Sequence, residues 1–158
     1  MGNHEMTLTH EQALAEAIKV VNQTFVGLFT TIGPDGAPCS RWMGTATLAD
    51  GLHKLYTLTD AHSRKVQHLA QNPHITWAFT ANDCADVVTL TGTARVLTSP
   101  LVMQQVFDRL QDYARQWAMA PLGEKENVAF VTIETTVQHV EYLSPRLKIF
   151  TPVVLTIN

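Results

Sequence analysis

The chain has 158 residues, 46% of them hydrophobic and 16% charged, which is the size of one domain with enough apolar side chains for a full core. A formal net charge of -3 with neutral histidines, and no long basic stripe, argues against duplex nucleic acid or an anionic membrane surface as a main partner. No apolar run approaches the ~18 residues of a membrane span, and no basic flank leads into an apolar leader, so a cytoplasmic protein is expected.

In chain order, Thr9-His-Glu-Gln12 reads as a capping box opening a helix at about 9–23, with Leu14, Ala17, Ile18 and Val21 on its apolar face. Phe25 to Ile32 is β-branched and aromatic, and Gly33-Pro-Asp-Gly36 is turn chemistry. A second strand is expected from about Ala37 to Leu48, and Ala49-Asp-Gly51 turns it into a third, about Leu52 to Leu58. Connections this short make the three a meander rather than a βαβ unit. A helix at about 62–71, stopped by Asn72-Pro73, leads into a strand from Ile75 to Thr80. Val87 to Leu97 reads as a long strand in which Gly92 marks a bulge or bend.

Ser99-Pro100 opens a helix to about Ala118, with Leu101, Val106, Phe107, Leu110, Tyr113, Ala114 and Trp117 as its apolar stripe. Val128 to Ile133 and Val137 to Leu143 are two strand-like stretches or one long bent strand. About six strands joined by short turns predict a mainly β (α+β) single domain over 1–158. Its antiparallel barrel, closed or partly open, spans about 25–143 with helices plugging or flanking it, and a C-terminal tail follows at 144–158.

The stretch Thr59-Asp-Ala-His-Ser-Arg-Lys-Val66 breaks a strand into a helix through a serine and two cations. Unpaired N–H groups and the dipole at a helix start, a hydroxyl and two charges make an anion socket. A solvated, capped helix start explains the same residues, and on this motif alone it is favoured. Arg41, in Ser40-Arg-Trp-Met-Gly-Thr45, offers a planar fork of donors suited to phosphate and would reach the same anion as Lys65 if the two strand ends are neighbours. A surface cross-strand ion pair accounts for Arg41 equally well.

The succession of Gly-Pro-Asp-Gly turn, Ser-Arg-Trp-Met, Leu-Tyr-Thr and Ser-Arg-Lys-Val followed by Asn-Pro resembles the pyridoxamine 5′-phosphate oxidase-like FMN-binding split-barrel family, with the flavour of its general stress protein branch. The resemblance covers about residues 10–143. It implies a six-stranded antiparallel split β-barrel with flanking helices, forming a homodimer with flavin sites at the subunit interface. It also implies that Arg41 and Lys65, aided by Ser63 and Arg64, bind the FMN phosphate. Tyr56, Thr57 and Thr59 would line the cofactor, and Trp42, Met43 and Gly44 would run along the flavin ring, mostly through backbone groups.

Pyridoxamine phosphate oxidases proper carry a substrate-binding lysine where this chain has Ala46, and a partner-donated glutamine where it has Val87. Their C-terminal stretch, with a tryptophan and later arginines, is not matched by 143–158 either. Vitamin B6 oxidation is therefore not expected. The expected function is a flavin-dependent oxidoreductase taking hydride from a reduced nicotinamide and serving an unknown small molecule. The alternatives are a non-catalytic flavin-binding stress protein and a haem-binding member of the same superfamily; FAD or a deazaflavin would replace FMN in related variants.

The remaining candidates carry less. His62, His68 and His74 have no metal-ligand spacing, and a solvated helix face is the expected setting for His62 and His68. Cys39 and Cys84 read as free thiols without a paired base, and Asn22-Gln-Thr24 as a chance sequon. Trp77 and Phe79 are expected in the core or at a dimer interface, and Trp117 in the core.

Overall fold

Helix α1 (His10–Thr24) begins where the capping box places it: Gln12 N donates to Thr9 Oγ1 at 3.1 Å, and Thr9 N to Gln12 Oε1 at 2.9 Å. The computed structural model describes residues 6–112, 115–116 and 129–158. The helix buries Ala13, Ala17, Val20 and Val21, while Leu14 and Ile18 pack at the edge, so its buried stripe is rotated slightly from the expected one. Phe25 ends it in the left-handed region, φ 56°.

Seven strands follow: β1 (Val26–Ile32), β2 (Pro38–Gly44), β3 (Lys54–Asp60), β4 (His74–Ala81), β5 (Asp86–Leu97), β6 (Phe130–Ser144) and β7 (Ile149–Thr156). Helix α2 (Arg64–Gln71) joins β3 to β4, and α3 (Pro100–Arg109) follows β5. The sheet order is β2-β1-β4-β5-β6-β3, antiparallel throughout, with β7 also on β6. The fold is therefore the expected split barrel, with one strand more than the six anticipated. The extra strand is the segment read as a tail, and an edge pairing along His139–Ser144 of β6 is what orders it.

The expected meander holds only for its first hairpin. After β2 the chain leaves the sheet edge, and β3 pairs with β6 over Lys54–Asp60. Among the described residues the backbone link from β3 to the chain beyond β2 is the Ala46–Tyr56 bridge, with both bonds at 2.9 Å. A second stitch runs from Thr57 Oγ1 to Gly44 O at 2.6 Å. β2 and β3 are thus the two lips of the split, and sequence neighbourhood suggested a pairing that long-range contact with β6 won.

The long strand β5 bends where Gly92 predicts. The β5–β6 register shifts between Thr91 and Gly92, and a Cβ at Gly92 would lie 2.0 Å from Thr136 O. β6 is one continuous strand, and the expected start at Val128 lies outside the described residues. Ser99 caps α3 through its hydroxyl and Pro100 sits in the first turn as expected, but the helix ends at Arg109. Of its expected stripe, Val106 and Leu110 are buried against Tyr56 and Leu58, whereas Tyr113, Ala114 and Trp117 lie outside the described residues.

Trp77 and Phe79 are wholly buried and stacked in a row with Phe29 inside the barrel. They therefore expose no apolar patch, and an argument for a dimer cannot start from them. The outward residues of that strand are Thr76, Ala78 and Thr80.

Candidate anion-binding site

The start of α2 is built by Asp60, whose carboxylate accepts from His62 N at 2.8 Å while its carbonyl accepts from Ser63 N at 3.0 Å. Ser63 has the extended backbone of an N-cap, yet its hydroxyl makes no capping bond. It lies 3.4 Å from Thr59 Oγ1, which also accepts from Lys65 Nζ at 2.9 Å. A helix start without a side-chain cap keeps first-turn N–H donors in need of an acceptor, where the dipole favours negative charge.

Arg41 projects from β2 on the same face as Cys39 and Met43. Its cross-strand partner is Phe29, and its guanidinium lies 5.9 Å from that ring centroid. Nη1 donates to Thr31 Oγ1 at 2.8 Å and, at 3.4 Å, to Phe29 O. Among the described residues Nε and Nη2 make no bond and Arg41 forms no ion pair, so the cross-strand ion pair is absent. Lys65 and Arg64 form no salt bridge among those residues either.

The electrostatics agree with the geometry. Burial lowers Lys65 from its ordinary value and Arg41 lowers it further; Asp60 pulls the other way, and Arg64 adds the smallest lowering. Arg41 is lowered by burial and by Arg64, with Cys39 acting the other way. Three cations from two elements therefore share one field, and among the described residues Asp60 is the carboxylate that opposes it at Lys65. A dianion held between them would relieve this repulsion, and the donor set of guanidinium, ammonium, hydroxyl and uncapped helix start fits a phosphate.

Strand alternation divides the other expected residues. Thr57 and Thr59 share one face of β3, the face that meets Gly44 and Lys65. Tyr56 is on the opposite face beneath α3, where its hydroxyl donates to Glu134 at 3.2 Å. Met43 packs at the edge of the core beside Arg41, whereas Trp42 turns outward and is 56% exposed. Gly44 is engaged through its carbonyl by Thr57.

Two members of the site escaped the sequence reading. Thr31 is fully buried and binds both Arg41 and His68, with Thr31 Oγ1 to His68 Nδ1 at 2.9 Å. His68 is buried, which corrects the expectation of a solvated position; His62, 83% exposed at its side chain, does lie in solvent. Helical spacing held the missed signal, because His68 follows Lys65 by one turn and shares its face.

Beyond the Ala46–Tyr56 bridge a cavity of about 340 Å³ opens between the end of α1 and the β2–β3 connection. Phe25, Ala46 and Leu55 supply apolar walls, and Asn22, Asp50 and Arg109 the polar ones. Among the described residues no group of three or more His, Cys, Asp or Glu side chains is arranged to hold a metal, and no helix is long and apolar enough to cross a membrane.

Residues 13–144 match the family model described as pyridoxamine 5′-phosphate oxidase. No curated protein matches the chain by sequence. Among solved structures, a Clostridium acetobutylicum protein related to general stress protein 26 of B. subtilis superposes with a TM-score of 0.73 at 21% identity, covering 94% of this chain and 97% of that one. A pyridoxamine 5′-phosphate oxidase-related, FMN-binding protein from Nostoc punctiforme gives 0.64 at 16% identity, covering 97% and 100%. A heme-binding protein from Mycobacterium smegmatis gives 0.67 at 18% identity, covering 94% of this chain and 60% of that one.

Proposed function

The chain belongs to the pyridoxamine 5′-phosphate oxidase family, and from that premise we propose that it binds FMN and acts as a flavin-dependent oxidoreductase in the cytoplasm. The observation that carries this reading is the trio Arg41, Arg64 and Lys65, clustered without an ion pair among the described residues and beside an uncapped helix start. Arg41 and Lys65 would grip the phosphate, with Ser63 and Arg64 at its rim. Thr57, Thr59 and the backbone of Met43 and Gly44 would border the rest of the cofactor along the split, whereas Tyr56 has its side chain on the opposite face and both backbone groups bonded to Ala46.

Bound flavin supplies reversible hydride chemistry, from a reduced nicotinamide to a small acceptor; the protein's part is positioning and fixed charge. The split between β2 and β3 exposes one long edge to the ligand, and the cavity beyond the Ala46 bridge offers room for a small substrate. Ala46 is buried and tied at both backbone groups to Tyr56, so no cation stands where pyridoxamine phosphate oxidases proper carry their substrate lysine. Pyridoxamine phosphate is for that reason not the proposed substrate.

Flavin is preferred to haem as the ligand because the cations Arg41, Arg64 and Lys65 beside an uncapped helix start suit a phosphate group. The test is a spectrum of the isolated protein followed by anaerobic titration with NADH and NADPH. Flavin absorbance that bleaches and returns with an acceptor supports the proposal. Bound flavin that neither donor reduces points to a carrier, and a Soret band without flavin overturns the reading.

A further inference from the structure

The anion socket has a second layer that none of its expected members supplies. Arg41 Nη1 donates to Thr31 Oγ1 at 2.8 Å, and the same oxygen lies 2.9 Å from His68 Nδ1. Thr31 is fully buried and His68 nearly so, while Arg41 is only half-buried. A hydroxyl has one proton and two lone pairs. With one lone pair taken by Arg41, all three groups are satisfied at once when the hydroxyl donates to an unprotonated Nδ1. The Thr31 rotor is then fixed, its lone pair aimed at the guanidinium.

His68 also stands one turn after Lys65 on α2. A single short helix thus carries one phosphate-facing cation directly and, through Thr31 of β1, aligns another that belongs to β2. The chain of contacts crosses three elements that would otherwise place Arg41 and Lys65 independently.

We propose that His68 is a positioning residue for the socket: through Thr31 it fixes the Arg41 guanidinium and so gives the protein its preference for a phosphorylated over an unphosphorylated flavin. The inference rests on the FMN reading above and extends it to a residue that would not touch the ligand.

The experiment compares affinities for FMN and riboflavin by quenching of flavin fluorescence in the wild type and in Arg41→Ala, Thr31→Val, His68→Leu and His68→Asn. The ratio of the two affinities isolates the phosphate. Thr31→Val and His68→Leu should each lower that ratio roughly tenfold, the scale of one well-aligned charge-assisted hydrogen bond. Arg41→Ala should lower it further, and His68→Leu should add nothing in the Arg41→Ala background. His68→Asn, whose amide can replace Nδ1, should restore most of the ratio.

Thermal melts accompany each variant, and Thr31→Val keeps the side-chain shape should His68→Leu not fold. A wild-type ratio retained in a folded His68→Leu or Thr31→Val protein overturns this inference alone. Equal losses with and without Arg41 do the same. A wild type that binds FMN no better than riboflavin overturns both the FMN reading and the inference.

Discussion

Arg41 is second only to burial in lowering the Lys65 ammonium from its ordinary value, although the two residues come from a strand and a helix separated by β3. The folded chain therefore holds like charges together in a half-buried place, at a cost that an anion removes. Inorganic phosphate and FMN should raise the melting temperature, whereas sodium chloride at equal ionic strength should not. At a hundred times the dissociation constant the expected gain is about 2.7 kcal/mol. A melting temperature that follows ionic strength alone would count against a specific site.

Removing one of those charges should separate stability from binding. For Lys65 the folded-state value lies below the unfolded one, so the destabilisation is fully present below the folded value and fades as pH rises toward the ordinary lysine range. Lys65→Met should melt higher than wild type in phosphate-free buffer at neutral pH, with an advantage that shrinks at alkaline pH. The same variant should lose the phosphate-induced rise. Differential scanning fluorimetry across pH reads both effects, and a variant that melts lower at neutral pH would contradict the sign.

The elements most legible in the sequence were those set by local chemistry. The Thr9–Gln12 box, the Gly33–Gly36 turn, the Ser99-Pro100 start and the Gly92 bend are each fixed by residues a few positions apart. Partner choice was not legible, because β3 obeys β6 rather than its neighbour β2, and β7 forms only because β6 runs past the end of β3. The same division holds at the site. Arg41 and Lys65 are readable as types that bind phosphate, but Thr31 is one of two adjacent threonines in an otherwise apolar strand with nothing to single it out, and only the fold brings it to both Arg41 and His68. Tyr56 shows the limit from the other side: a strand ending in Leu-Tyr-Thr sends alternate residues to opposite faces.

Asp86 is the most heavily engaged buried acid among the described residues. Its carboxylate accepts from Arg146 Nε at 2.8 Å, Tyr142 Oη at 3.0 Å, Ser144 Oγ and Asn82 Nδ2. Burial alone would raise this acid, but the hydrogen bonds from Arg146, Ser144, Asn82 and Tyr142 prevail and hold it far below the carboxylate range. Its contribution is therefore complete above the unfolded value of about 4 and lost progressively as pH falls below it. Asp86→Asn should cost about 2–4 kcal/mol at neutral pH and show a flatter acid limb than wild type in urea melts between pH 7 and pH 2. Parallel limbs in the two proteins would show that Asp86 is not the acid-sensitive group.

Gly92 allows β5 and β6 to approach where the register shifts. A methyl group there would meet the Thr136 carbonyl at 2.0 Å, and backbone on both sides leaves nothing flexible to move aside. Gly92→Ala should destabilise by more than about 3 kcal/mol, at the severe end of single substitutions, and should yield insoluble or unfolded protein. Gly36→Ala is a useful contrast: nothing crowds the site, so only the strain of φ +81° opposes it and a loss of about 1 kcal/mol is expected. Equal urea midpoints for the two variants would refute the steric account.

Trp42 is 56% exposed, in direct cross-strand register with Leu28, itself opposite Ala78, so the three form a row on the outward face. Alternation that turns Arg41 toward the cation cluster turns its neighbour Trp42 outward, so one strand serves the candidate site with one face and a surface with the other. A large indole left in water is a candidate anchor for a second copy of the chain, and a two-fold axis would let the row meet itself. We expect wild type to sediment as a dimer at micromolar concentration. Trp42→Glu should weaken the dimer roughly 30-fold or more, the scale of an aromatic anchor worth at least about 2 kcal/mol. Its far-ultraviolet circular dichroism should stay unchanged, since the side chain lies outside the core. A wild type that sediments as a monomer at tens of micromolar would rule out this surface as a stable interface, and Trp42→Glu remaining fully dimeric would move the interface elsewhere.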